Sequence, residues 1–163
     1  MITTTRTAPR PSRRRWWALR PPGHDRPAEV LAVLQHARTI VEAGWVQNRW
    51  TVPAASSAGA AGDGPTDAAS RACLVGAVAL AVRARDPRAD LAVGTGPALA
   101  FVSDAVFGGR TAGRSAPHHV RVQRMRELAR WNDERGRTRA DVVAALDKAA
   151  AQVVARVVEQ APV

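Results

Sequence analysis

Cys73, the only cysteine, is followed in chain order by His118 and His119 and then by Asn132 and Asp133. Cysteine hydrolases and transferases use these residue types as nucleophile, general base and orienting group. The base takes the thiol proton, and the third residue holds the imidazole in the correct tautomer. Such a trio is defined by geometry rather than chain order, so the order alone nominates candidates. The competing reading of Cys73 is a small apolar core residue. Its neighbourhood favours that reading, because Ala72–Val82 is an apolar run of 11 residues counting Gly76. A thiol enclosed by such a run stays protonated. A lone cysteine also excludes an internal disulfide and a thiolate zinc cluster. The histidines His24, His36, His118 and His119 include no i, i+4 pair. Neither a metal site nor a cofactor is therefore expected.

Two further segments have the composition of an anion site. Gly108-Gly-Arg-Thr-Ala-Gly113-Arg114-Ser115 has phosphate-loop spacing with Arg114 in place of lysine. A planar guanidinium is a poor substitute for a compact ammonium there. Pro117 and the lack of a parallel-sheet pattern also argue against a nucleotide site. Arg126 and Arg130 share a helix face, with Arg135, Arg137 and Arg139 following. Arginines so placed form a polyanion patch, or pair with Glu127, Asp133 and Glu134 or are merely solvated, and the latter two are the commoner outcome.

Helices must position these groups. The first is predicted from Asp25, as N-cap, to Gly44, with Val30, Val33, Leu34, Ala37, Ile40 and Val41 on one stripe. Trp45 and Trp50 follow and are expected to seal the end of the bundle. An Ala/Ser/Gly/Pro-rich loop covers 52–67. The second helix, about 70–85, is apolar on every side and is expected at the centre. Gly76 and Ala77 leave room for a close neighbour. A third helix is predicted over about 97–107 and a fourth over about 118–131, burying Val122, Met125, Leu128 and Ala129. A fifth opens at Thr138 with a Thr-x-x-Asp capping arrangement to Asp141 and continues through Val142, Leu146, Ala150, Val153 and Val157. Between the last two, Trp131–Thr138 reads as a structural hinge. Gly136 supplies a left-handed turn, Asn132 or Asp133 satisfies free backbone groups, and Arg137 is the nominated partner of Asp133. No segment alternates as a strand.

These elements amount to an all-α orthogonal bundle of about five helices in one domain, 25–160, behind a disordered basic arm, 1–24. Aromatic residues make up 4% of the chain, so Ala, Val and Leu must build the core. The formal net charge is +10, and all but one of the 24 basic residues are arginine, the exception being Lys148. Residues 1–26 hold seven arginines against Asp25, so most of the excess lies in the arm. Within it, Arg13, Arg14, Arg15, Trp16 and Trp17 have the composition that binds nucleic acid or an anionic surface weakly and without sequence preference, although such a charge run is more often a solvated tail, its two Trp folded back on the domain. Ala18–Pro27 offers no apolar core for an export signal, and the longest apolar run is too short to span a bilayer. A cytoplasmic protein is expected.

Four segments fall in order: Gly44-Trp45-Val46-Gln47, Cys73-Leu-Val-Gly76-Ala77, Trp131-Asn132-Asp133, and Gly136-Arg137-Thr138 followed by Val142 and Val143. Together they resemble a family of small uncharacterised proteins from actinobacteria and their phages, over about residues 28–151. Its pattern is helix–Gly-Trp, a variable loop, C-x-x-G-A, W-N-D and R-T-x-x-[DE]-V. The resemblance singles out Trp45, Cys73, Gly76, Asn132, Asp133, Arg137 and Thr138 and implies a helical fold, with no activity attached. The function expected is that of a non-enzymatic accessory or interaction domain with an unidentified protein partner and weak polyanion affinity through the arm. The alternative is the cysteine-dependent enzyme.

Overall fold

The apolar stripes become helices that bury one another in a computed structural model, which describes residues 26–53, 69–109 and 116–159. The basic arm, Asp25 and the segment 110–115 with Arg114 lie outside the described residues. The fold is all-α, with six helices and one small pair of strands among the described residues.

Helix α1 (Pro27–Ala43) starts on a proline, whose fixed φ and missing N–H suit a first helical turn. Arg26 occupies the cap position and contributes no side-chain bond. All of the predicted stripe is buried except Ile40, which is partly covered. Gly44 ends the helix in an extended conformation, not a left-handed one, because the chain runs straight into a pairing with residue 72.

That pairing changes the second element. Helix α2 spans Leu74–Arg85, and the residues before it, Ala69–Ala72, form strand β2. β2 runs antiparallel to β1 (Thr51–Pro53), with Thr51 opposite Ala72 and Val52 opposite Arg71. On the other side Ala72 N donates to Gly44 O at 3.0 Å, and Val46 N donates to Ala72 O at 3.3 Å. Residue 72 is thus held from both sides. A helix beginning at 70 would forfeit these bonds, so tertiary pairing overrides even the strong helix preference of Ala. The body of α2 behaves as expected, with Leu74–Val78, Ala81 and Val82 buried.

A short helix α3 (Leu91–Gly94), capped by Asp90, leads into α4 (Gly96–Phe107). Every residue of α4 from Gly96 to Ala105 is buried, so α4 shares the interior with α2. Helix α5 (His118–Asp133) packs on α2 and α4, while α6 (Arg139–Glu159) packs on α1 and α4 rather than around α2. The inner stripe of α6 is Val142, Ala145, Leu146, Ala149 and Val153; Val157, predicted to continue it, is exposed. Lys148 Nζ donates to Ala105 O at 2.8 Å, meeting a free carbonyl near the end of α4.

The hinge follows its predicted design in two respects. Gly136 has φ +86°, and Thr138 and Asp141 form a reciprocal capping box, with Thr138 N to Asp141 Oδ2 at 2.9 Å and Asp141 N to Thr138 Oγ1 at 3.2 Å. It departs in a third. Arg137 pairs with Glu134, not Asp133, donates from Nε to Trp131 O at 3.0 Å, and stacks 4.1 Å over the Trp131 ring. Asp133 is occupied elsewhere.

Candidate functional site

Asn132 is the last buried residue of α5, with no exposed surface. Its Oδ1 accepts from Trp45 Nε1 at 2.9 Å and from Leu74 N at 3.1 Å. Its Nδ2 donates to Val46 O at 3.2 Å and to Asp133 Oδ1 at 2.8 Å. All four hydrogen-bonding positions of the amide are therefore filled. Two donor-only neighbours fix which end is oxygen. Around this centre, Gln47 Nε2 donates to the carbonyls of Asn132 and Glu134, at 3.0 and 3.1 Å. Asn48, at φ +59°, donates its N–H to Asp133 Oδ1 at 2.7 Å. Asparagine tolerates that left-handed backbone better than most residues. The result is a polar knot tying residues 45–48 to the start of α2 and the end of α5.

Cys73 sits against this knot. It is the N-cap of α2, 4% exposed, and its Sγ accepts from Gly76 N at 3.3 Å. Its own N–H donates to Trp50 O at 3.0 Å. A Cβ on Gly76 would lie 2.0 Å from that same Trp50 oxygen, so only glycine permits the approach. Burial pushes the Cys73 thiol above its ordinary pKa; the Gly76 and Val75 N–H groups pull the other way, and the Asp133 charge adds to the rise. The helix N-terminus here does not produce a reactive thiolate.

The proposed trio is not assembled. Asn132 and Asp133 meet the Cys73–Leu74 turn, but His118 and His119 open α5 at its other end. At ~1.5 Å rise per residue, His118 is about 21 Å along the axis from Asn132. Both histidines are exposed. No imidazole in that helix can be oriented by Asn132 while acting on a thiol beside it. Among the described residues no three His, Cys, Asp or Glu side chains gather as metal ligands. No described helix is long and apolar enough to cross a membrane.

The motif residues Trp45, Gly76, Asn132, Asp133, Arg137 and Thr138 are thus placed by the structure in one connected region of caps, stacking and hydrogen bonds. Trp45 is partly buried in it, whereas Trp50, also expected to seal the bundle, is 53% exposed. Arg13, Arg14, Arg15, Trp16, Trp17 and most of the Gly108–Ser115 loop lie outside the described residues. Asn48 has no sequence signal beyond its nearness to Trp45, and Gln47 closes the Gly44–Gln47 segment without being among the residues the resemblance singles out.

A pocket of about 220 Å³ lies between α2, α3, α4 and α5. Val75, Leu91, Leu99 and Met125 supply apolar wall, and His118, Arg121 and Arg124 supply polar groups. Arg121 and Arg124 lie off the inner stripe expected of α5 (Val122, Met125, Leu128 and Ala129), so the sequence does not nominate them. Helical spacing from His118 to Arg121 and Met125 is the signal that would have found Arg121.

Fold and site together define a small all-α domain stitched by a buried polar knot. The chain belongs to the family of unknown function DUF6197, which matches residues 25–152. All four motif segments fall within that span. No curated protein and no solved structure matches the chain.

Proposed function

We propose that this protein is a cytoplasmic accessory domain that works by binding rather than by covalent chemistry, its basic arm adding weak affinity for polyanions. One observation carries the reading: Cys73 and Asn132, the candidate nucleophile and orienting group, are consumed by architecture, and neither candidate histidine is near them. Asn132 has no free hydrogen-bonding position, and Cys73 is a buried cap with its thiol held protonated. A nucleophile needs access and a base, and Cys73 has neither in the arrangement described. The excess charge supports the second clause, since residues 1–26 carry seven arginines against one aspartate.

Thiol alkylation tests the first clause. Native protein should react slowly with iodoacetamide and fully only after denaturant is added. Rapid native labelling with a midpoint near neutral pH would restore the cysteine-enzyme reading. The triple variant Arg13→Ala, Arg14→Ala, Arg15→Ala tests the second. It should lose retention on single-stranded DNA at low salt and keep its melting temperature. Unchanged retention removes the arm from the function.

A further inference from the structure

The pocket between α2 and α5 contains charge that the fold does not neutralise. Arg124 is 6% exposed, and Arg121 has a buried Nε with no hydrogen-bond partner. Among the described residues neither guanidinium forms an ion pair. Both line the pocket, three residues apart on one helix and so on neighbouring positions of its surface. A buried cation without a partner is unfavourable, and native structures rarely retain one without use. Of the other polar residues in the wall, Thr95 is spent, its Oγ1 donating to Leu91 O at 2.6 Å, and His118 is exposed at the start of α5. What remains is a largely apolar hollow whose wall includes two arginines without an ion pair.

We propose that this pocket binds a small organic monoanion, a carboxylic acid with a compact apolar body, whose carboxylate is received by Arg124 and Arg121. Guanidinium and carboxylate match in planar geometry as well as in charge. The volume sets the size of the body. A cavity of about 150 Å³ holds benzene. A pocket of 220 Å³ is about half as large again, enough for about nine heavy atoms, a ring or short chain plus its acid group. A nucleotide is too large. Inorganic phosphate would leave the walls of Val75, Leu99 and Met125 uncovered. The arm is an unsuitable occupant because its own arginines would meet two more. Such binding goes beyond the accessory-domain reading and stands whether or not the arm holds polyanions.

Calorimetric titration of the full chain with benzoate, benzamide and inorganic phosphate tests the assignment. Benzoate should bind one to one with a Kd of about 1 mM or tighter, as expected for so small a ligand. Benzamide and phosphate should each bind at least roughly tenfold more weakly. Arg124→Met should weaken benzoate roughly tenfold or more and leave benzamide within about twofold. Ala92 lines the pocket from an exposed position on α3, so Ala92→Glu tests the site without disturbing the core. That variant should lose benzoate binding and melt at a higher temperature, its carboxylate satisfying the arginines. Saturable benzoate binding that Arg124→Met and Ala92→Glu both leave intact would overturn the proposal. So would equal affinity for benzoate and benzamide, equal affinity for phosphate, or no benzoate heat at concentrations of about 10 mM.

Discussion

Asn132→Asp separates the polar chemistry of the knot from its packing, because the side chain keeps its size while losing the two donors on Nδ2 and gaining a carboxylate. Those donors serve Val46 O at 3.2 Å and Asp133 Oδ1 at 2.8 Å. In the variant both acceptors face a carboxylate oxygen instead. Asp133 retains the Asn48 N–H, so its loss is partial, while Val46 O loses the bond outright. Leaving a buried polar group unsatisfied costs about 1–3 kcal/mol, so two such losses total about 2–6 kcal/mol. A second negative charge beside Asp133 moves the value toward the upper end. Since a domain of this size is stable by only about 5–15 kcal/mol, the variant should sit near the edge of folding.

Guanidinium denaturation followed by far-ultraviolet circular dichroism measures this directly, as a lowered midpoint at constant slope. Asn132→Ala is the companion. It also strands Leu74 N and Trp45 Nε1, so it should cost more than Asn132→Asp. A loss below about 1 kcal/mol for Asn132→Asp would refute the claim that the amide's donors hold the bundle together. The reverse ranking of the two variants would show that charge, not hydrogen bonding, dominates the site.

Three other outcomes are expected. Gly76→Ala places a Cβ against the Trp50 carbonyl, which is backbone and also accepts from Cys73 N, so it should destabilise by about 3 kcal/mol or more in the same denaturation assay. Cys73→Ser puts a preferred capping hydroxyl where the sulfur now accepts from Gly76 N, and its stability should stay within about 1 kcal/mol of the parent. In the parent the thiol pKa is raised above 9.0 by burial, so the unfolded chain loses its proton first; stability from this group is present below pH 9 and falls as pH climbs past it, a fall absent from Cys73→Ser in melts at pH 8 and 10. Arg137→Lys loses the Nε bond to Trp131 O and the planar stacking on its ring, and should lower stability by about 1 kcal/mol despite keeping the charge.

How far these features could be read in advance depended on whether a local signal existed. The stripe of α1, the apolar body of α2, the Thr138–Asp141 box and the turn at Gly136 each have a pattern spanning a few residues, and each was legible. Strand β2 was not, because Ala69–Ala72 becomes extended only by pairing with Gly44–Val46 and Thr51, far away in sequence. The same holds for Asp133. Sequence nearness suggested Arg137, but its partner is the backbone N–H of Asn48, made available by a left-handed residue that nothing local announces. Trp50 was misplaced for a related reason. Its carbonyl accepts from Cys73 N, while the residue as a whole stays 53% exposed.

The position of the knot follows from the composition of the core. Ala and Val allow close helix approach, but they provide few large side chains whose interlocking would fix one register. A bundle of such residues has several nearly equivalent packings, and something directional must choose among them. Asn132 does so by binding α5 to both the start of α2 and the turn after α1, with every group satisfied. A fully paired polar cluster penalises any slip that would break it. The knot also fixes α5 at one end only. The other end, with Arg121 and Arg124, is held by apolar contact around a hollow, so the rigid joint and the unneutralised pocket share one helix while remaining chemically separate.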